Sequence, residues 1–225
     1  MPGRSNPLVT GEMYHVFNRG IDRRPTYTDK REYQRALRII SYYRFIKPIK
    51  KLSYFLLLSS EVQMAILQEM RVRNEKLVEI LAFCLMPNHF HFLLKQLHQD
   101  GISKFIGNME NSYTRYYNTK NNRVGPLFLN QFKAIRIETY EQLLHVSRYI
   151  HLNPLTSFVI KDFSVLMDYP WSSLGEYMNM EENGICDQEI IMNSFKDKKA
   201  YSNFIKDQID YQRTLHLVKH LAFDD

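Results

Sequence analysis

Two apolar runs separated by a short turn signal form the clearest pattern in this chain. Residues 77–86 are rich in strand-forming apolar side chains, and a second apolar run begins at His89. Pro87 and Asn88, which stand between the two runs, are residue types typical of turns. The pattern therefore predicts a β-hairpin over residues 77–96.

The second strand of this hairpin alternates two histidines with two phenylalanines. Side chains on a strand point to opposite faces in turn, so we expect His89 and His91 on one face and Phe90 and Phe92 on the other. A strand fixes the separation of two imidazoles before any ion arrives, so this pair is suited to be half of a metal site. Histidines at this spacing also occur as ordinary surface residues, and the pattern alone does not separate the two interpretations.

Helices and further strands flank the hairpin. Capping signatures predict helix starts at Asp29, Ser60 and Thr139, each followed by apolar positions at helical spacing. Another amphipathic helix is expected after Gly101, and weaker alternation predicts strands at residues 12–18 and 127–137. This order predicts an α+β fold, with a ferredoxin-like antiparallel sheet and helices packed on it.

The composition is typical of a folded protein, and the charges are distributed unevenly along the chain. Hydrophobic residues make up 44% of the 225 residues, and aromatic residues make up 13%. The net charge is +6, yet residues 176–225 hold 10 acidic and 6 basic side chains, so residues 1–175 carry a net charge of +10. We expect one domain over residues 1–175 and an acidic helical C-terminal extension over residues 176–225.

Cysteine usage and hydropathy indicate the compartment. Cys84 and Cys186 lie far apart and show no paired ligand spacing, which is typical of a reducing compartment. No apolar run approaches the ~20 residues needed to span a bilayer. We therefore expect a cytoplasmic protein that does not enter a membrane.

A basic excess between Gly101 and Ile137 indicates a polyanionic partner. This segment holds six basic residues and only one acidic residue. Cationic side chains displace counterions condensed on phosphates, so such a segment favours nucleic acid, although a solvated surface has the same charge pattern.

A second pair of chemically useful residues lies on the helix that begins near Thr139. Tyr149 and Asn153 are four residues apart, so about 40° of rotation separates them and they share one helix face. The Asn153 carboxamide offers the oxygen that a metal held by two imidazoles still needs. Because Pro154 disfavours helical dihedrals at the preceding residue, we expect the helix to end at Pro154, with Asn153 in a frayed last turn.

Both residue pairs lie in strings that resemble motifs of the HUH endonucleases. Residues 86–94 (Met-Pro-Asn-His-Phe-His-Phe-Leu-Leu) are similar to the His-hydrophobic-His signature, most of all in the REP-associated branch of the single-tyrosine transposases. Residues 148–154 (Arg-Tyr-Ile-His-Leu-Asn-Pro) resemble the second motif of the same enzymes. Asn-Arg-Gly at residues 18–20 and Tyr-Pro-Trp-Ser-Ser at residues 169–173 resemble further family blocks. A departure occurs at Gln131, where many relatives carry arginine, and this puts one DNA contact in doubt.

The resemblance implies a role for each of these residues. Tyr149 maps to the nucleophile, and His89, His91 and Asn153 map to the ligands of a divalent ion, Mg²⁺ or Mn²⁺. The implied activity is that of a metal-dependent single-strand DNA endonuclease and strand-transferase, a transposase that acts through a 5′-phosphotyrosine on hairpin-containing DNA. The resemblance is compatible with a monomer or a homodimer.

Candidate DNA contacts are chosen by charge and by position along the chain. They are Asn18, Arg19, Arg23, Arg24, Arg115, Lys133 and Arg136.

Three alternatives stay open at the level of sequence. A replication initiator or relaxase uses the same chemistry, although the short chain and the single motif tyrosine argue against a relaxase with a helicase domain. An inactive, domesticated nucleic-acid-binding protein is the non-enzymatic alternative, against which the intact residue set argues. A zinc site that includes Cys84 is less favoured, because a thiol between Phe83 and Leu85 is ordinarily buried in the core.

Overall fold

Four antiparallel strands form the central sheet of this protein, for which we describe residues 7–179 and 184–209 of a computed structural model. The strands are β1 (Met13–Arg19), β2 (Val78–Met86), β3 (His89–Gln96) and β4 (Lys133–Arg136), in the spatial order β2-β3-β1-β4. This is the strand order of a ferredoxin-like sheet, so the predicted α+β fold is confirmed.

Helices occupy the connections and the C-terminal part of the described chain. They are α1 (Lys30–Tyr43), α2 (Leu52–Phe55), α3 (Ser60–Arg73), α4 (Gly101–Lys120), α5 (Tyr140–Thr156), α6 (Phe163–Leu166), α7 (Leu174–Asn179), α8 (Glu189–Met192) and α9 (Lys198–Lys206). A single 3₁₀ turn (Ile21–Arg23) follows β1. Within the two described segments, none of the helices combines the length and apolar character that crossing a bilayer requires.

Each face of the sheet has its own hydrophobic core. Phe90 and Phe92 lie on the face covered by α1 and α4, where both rings are fully buried. Leu93 lies on the other face, in a second core that includes Ile150 of α5. The alternation predicted for the second hairpin strand is therefore present, and it places the two histidines beneath α5.

Part of the chain beyond residue 175 packs on this second core. Tyr177 and Tyr201 are fully buried in the same cluster as Leu93. His151 of α5 hydrogen-bonds the Tyr201 hydroxyl through Nδ1 at 2.8 Å and the Ser173 hydroxyl through Nε2 at 2.7 Å. Burial lowers the pKa of His151 to about 3, so the ring is neutral and acts as a link between elements. The expected helical pattern of the C-terminal extension is found in α8 and α9, and residues beyond 209 lie outside the described chain.

Two of the three capping predictions are confirmed. The Asp29 carboxylate accepts the Glu32 N–H at 2.9 Å, and the Thr139 hydroxyl accepts the Gln142 N–H at 3.1 Å. The third was wrong by one residue, because Ser59 is the N-cap of α3 and its side chain makes no capping bond.

Two predicted boundaries were also wrong. The strand predicted over residues 127–137 is regular only in β4. Nearer its start, the Leu129 N–H donates to the Arg19 carbonyl at the end of β1, outside the regular strand ladder. Helix α5 continues past Pro154 to Thr156. Proline there removes a single intrahelical donor, and the Asn153 and Pro154 carbonyls still accept the N–H groups of Ser157 and residue 160, which closes the helix end.

Candidate active site

The two hairpin histidines lie side by side at one end of β3. Their ring centroids are 5.0 Å apart and their planes are nearly perpendicular, at 88°. His91 is opposite Phe17 of β1 in the strand register, and His89 is opposite Arg19. Directly paired residues share a face of the sheet, so the Arg19 guanidinium belongs to the same face as both imidazoles.

Helix α5 places Tyr149 against His91. The Tyr149 ring contacts the His91 ring edge to face, with centroids 5.4 Å apart and an interplanar angle of 86°. Burial raises the pKa of the Tyr149 phenol, while a hydrogen bond from the Asn153 side chain lowers it. The phenol is therefore protonated at neutral pH, and Asn153 favours the charge that develops when the phenol loses its proton.

Asn153 lies one helical turn beyond Tyr149, within a helix that remains regular. Its side chain is 3% exposed, and its Oδ1 accepts a hydrogen bond from the Ser157 hydroxyl at 3.2 Å. The predicted frayed last turn is absent here, because α5 extends three residues further. The amide thus has a fixed orientation, with Tyr149 on one side and Ser157 on the other.

A third histidine, which sequence reasoning did not select, completes this cluster. His15 of β1 is 9% exposed, and its Nε2 lies 3.0 Å from Nδ1 of His91. Its ring centroid is 5.1 Å from that of His91 and 5.7 Å from that of Tyr149. Alternation within β1 places His15 on the same face as Phe17, but only the pairing of β1 with β3 reveals its neighbours.

A basic loop, residues 20–26, follows β1 and is attached to the turn of the hairpin. The N–H of Gly20 donates to the Asn88 carbonyl at 2.8 Å, and the N–H of Thr26 donates to the Pro87 carbonyl at 2.7 Å. Gly20 is required here, because a Cβ at this position would lie 2.5 Å from the Arg24 carbonyl oxygen. The loop therefore holds Arg23 and Arg24 at the end of the sheet where His89 lies.

The other candidate DNA contacts are divided between the two faces. Lys133 is opposite Phe17 and is exposed, so it lies on the histidine face. Arg136 is opposite Tyr14 on the other face, where its Nη2 pairs with Glu12 Oε1 at 2.7 Å. Arg115 is exposed on α4, which covers that other face, so the structure does not bring Arg115 or Arg136 to the histidines.

Asn18 is buried and does not face solvent. Its side chain is 5% exposed, its amide nitrogen donates to Glu110 at 2.7 Å and to the Leu129 carbonyl at 2.9 Å, and its oxygen accepts the Arg19 N–H. These bonds tie the end of β1 to α4 and to the segment before β4. We therefore leave Asn18 out of the proposed DNA contacts.

The donor chemistry of the cluster fits a divalent ion. Imidazole nitrogens suit divalent transition-metal ions, and a carboxamide oxygen suits Mg²⁺ and Mn²⁺. Among residues 7–179 and 184–209, no set of three or more His, Cys, Asp or Glu side chains has a metal-holding arrangement. The candidate ligand set of His89, His91 and Asn153 contains only two residues of those four types, because its third member is an asparagine.

Comparison with known proteins identifies the segment that carries the hairpin histidines and Tyr149. Residues 55–153, just under half of the chain, match the family described as Transposase IS200 like. The chain resembles IS200-like transposases. The resemblance to a transposase family predicted from the motifs is thereby confirmed. The IS200-like segment contains both hairpin histidines and Tyr149, and it ends at Asn153, whereas β1 with His15 lies outside it.

A solved structure is also similar to this chain. It is described as the structure of a REP-associated tyrosine transposase bound to a REP hairpin, with 15% sequence identity and a TM-score of 0.46. The alignment covers 80% of this chain and 86% of that one. No curated protein sequence matches significantly.

Proposed function

We propose that this protein is a metal-dependent single-strand DNA endonuclease and strand-transferase that acts through a 5′-phosphotyrosine at Tyr149. The observation that carries the proposal is the edge-to-face contact of Tyr149 with His91, at 5.4 Å between ring centroids. This contact joins the tyrosine of the second motif to one histidine of the first, which supports the proposal. The IS200-like match over residues 55–153 supports the same class of activity.

The proposed chemistry follows from the groups around the phenol. His89, His91 and Asn153 would hold a divalent ion, which when bound polarises the scissile phosphate. Tyr149 Oη attacks the phosphorus, the new O–P bond forms, and the bond from phosphorus to the 3′ oxygen breaks. The phenolic proton is released and the leaving oxygen is protonated to a 3′-hydroxyl. Asn153 donates to the phenolic oxygen, so it favours loss of that proton.

Strand transfer follows from the covalent intermediate. The phosphotyrosine retains an ester bond to the DNA 5′ end, so a second 3′-hydroxyl can displace Tyr149 and rejoin DNA without ATP.

The proposed substrate is single-stranded DNA that contains a hairpin. The two motifs and the blocks at residues 18–20 and 169–173 support this, because they resemble those of REP-associated transposases. Arg19 and Lys133 share the histidine face, and Arg23 and Arg24 lie in the loop beside His89, so we propose these four cations as contacts to DNA phosphates.

The test is formation of a covalent protein–DNA adduct. Wild-type protein is incubated with labelled single-stranded hairpin DNA and Mn²⁺ and then run on a denaturing gel. We expect an adduct with wild type and none with Tyr149→Phe, with hairpin affinity of the variant within about fivefold of wild type, since one hydroxyl contributes about 1 kcal/mol to ground-state binding.

A matched control keeps the same substitution on the same helix. Tyr140→Phe removes a hydroxyl at the start of α5, nine residues before Tyr149, that bonds the Ile190 carbonyl and the Ser194 hydroxyl at 2.6 Å each, and it should leave the adduct unchanged. An adduct that persists in Tyr149→Phe would assign the nucleophile to another residue. A wild type that binds the hairpin without forming an adduct would favour a binding protein.

A further inference from the structure

Each of the two candidate metal-binding histidines has its Nδ1 engaged by a neighbouring side chain. His89 Nδ1 lies 2.6 Å from the side-chain oxygen of Asn88, and His91 Nδ1 lies 3.0 Å from Nε2 of His15. Neither Asn88 nor His15 belongs to the ligand set proposed above. Both imidazoles are thus held through the same ring nitrogen.

The Asn88 amide can bond His89 in one sense only. Its nitrogen donates to the Arg23 carbonyl oxygen at 3.2 Å, which fixes the orientation of the amide and turns its oxygen toward His89. A carboxamide oxygen only accepts hydrogen bonds, so His89 Nδ1 must carry the proton. In the neutral form of this ring, the lone pair is then on Nε2.

The contact between His15 and His91 leads to the same assignment for the second ring. Because Nδ1 of His91 bonds His15, an ion bound by His91 has to use Nε2. A neutral imidazole that offers the Nε2 lone pair carries its proton on Nδ1, and that proton is then donated to His15 Nε2. Both partners are at most 9% exposed, so water competes little for this bond.

We infer that Asn88 and His15 are positioning residues that hold His89 and His91 in the Nδ1–H tautomer, so that both rings present Nε2 to one divalent cation. The inference rests on the proposed function for the use of that cation and for the tautomer of His91, whereas the tautomer of His89 follows from the Asn88 contact alone. Partners of this kind orient ligating imidazoles and raise their basicity, and their loss costs about 10- to 100-fold in metal affinity. The basic loop takes part as well, because the Arg23 carbonyl orients Asn88.

The first test reads the tautomers directly in the metal-free wild-type protein. Nitrogen-15 chemical shifts of the histidine rings, measured above the ordinary histidine pKa, distinguish Nδ1–H from Nε2–H. We expect Nδ1–H for both His89 and His91. A ring of either residue found as Nε2–H would overturn the inference for that residue, whether or not the protein cleaves DNA.

The second test measures Mn²⁺ binding by calorimetry with no DNA present. His15→Phe keeps a ring of similar size but lacks the acceptor, and we expect it to weaken Mn²⁺ binding by about tenfold or more. His15→Gln restores an acceptor near the position of Nε2, and its Mn²⁺ affinity should return to within about threefold of wild type. Equal weakening by Phe and Gln would indicate packing alone and would contradict the positioning role.

A parallel pair of variants tests Asn88. Asn88→Asp keeps the accepting oxygen and Asn88→Ala removes it, so only the alanine variant should lose Mn²⁺ affinity by about tenfold. If the wild type binds no Mn²⁺, the proposed metal site fails and the inferred presentation of Nε2 to a cation fails with it, whatever tautomers the rings adopt. If the wild type binds Mn²⁺ and His15→Phe and Asn88→Ala bind it equally well, the inference alone fails.

Discussion

His15 and His91 meet side chain to side chain, with Nε2 and Nδ1 3.0 Å apart, although 76 residues separate them in the chain. Strand β1 is therefore part of the candidate site as well as part of the sheet. The IS200-like segment of residues 55–153 holds the proposed nucleophile and ligands but leaves out β1. The geometry of the histidine cluster thus depends on a strand outside the segment by which the family is matched.

The two faces of the sheet should contribute differently to DNA binding. Arg19→Ala or Lys133→Ala should weaken binding of a labelled single-stranded hairpin and lower the slope of log affinity against log salt by about 1 each. Both residues share the histidine face. Fluorescence anisotropy over a salt series, without metal, measures both quantities.

Arg136→Ala is the matched control for this comparison. Arg136 lies on the opposite face and pairs with Glu12, so its loss should leave the salt slope nearly unchanged. A larger effect for Arg136 than for Lys133 would place the DNA on the other face of the sheet.

Asn153 combines two roles that substitutions can separate. Asn153→Asp keeps an oxygen for the ion but loses the N–H that donates to Tyr149, so Mn²⁺ affinity should persist while adduct formation slows by about tenfold. Asn153→Ala removes both groups and should lose Mn²⁺ affinity as well. Calorimetry and the rate of adduct formation are the two measurements, and unchanged Mn²⁺ binding by Asn153→Ala would exclude Asn153 as a ligand.

Glu110 should make the protein less stable as the pH rises toward neutrality. Burial raises the pKa of Glu110 from 4.5 to about 7, although a hydrogen bond from Asn18 opposes this. The folded state thus holds a proton that the unfolded chain releases near pH 4.5. The stabilisation from the neutral carboxyl group is complete below pH 4.5 and is lost as the pH rises through about 7. The loss is at most about 3 kcal/mol, because the carboxyl group retains some exposure.

Denaturant unfolding at several pH values tests this prediction. Between pH 4.5 and 7, the unfolding free energy of the wild type should decrease relative to that of Glu110→Gln, because the variant lacks the titrating carboxyl group. Glu79→Gln, which alters a partly exposed ion pair with Lys95, should retain the wild-type profile. Parallel profiles for wild type and Glu110→Gln would show that the carboxyl group titrates normally.

Two glycines of α4 should respond in opposite directions to alanine. A Cβ at Gly101 would lie 2.3 Å from the Leu77 carbonyl oxygen, whereas nothing lies within 4 Å of a Cβ at Gly107. Gly101→Ala should therefore destabilise the protein by about 1–3 kcal/mol, and Gly107→Ala should stabilise it by about 0.5–1 kcal/mol. Chemical denaturation measures both, and a neutral Gly101→Ala would mean that the start of α4 can shift away from β2.

The sequence predicted those features that depend on neighbours close along the chain. Alternation in β3 separated the two histidines from Phe90 and Phe92, and the side-chain caps at Asp29 and Thr139 gave the starts of two helices. The four-residue spacing of Tyr149 and Asn153 likewise placed both on one face of α5. Local periodicity determines such features because each needs only one strand or one helical turn.

The register between distant strands was decided by the tertiary structure alone. Pairing of β1 with β3 brings His15 to His91 and buries Asn18, although alternation gave no sign of either contact. Packing also kept α5 helical through Pro154, against the local preference of the residue before proline. Sequence fixes which face of its own strand a side chain occupies, whereas the residue it meets across the sheet follows from how the whole chain packs its two cores.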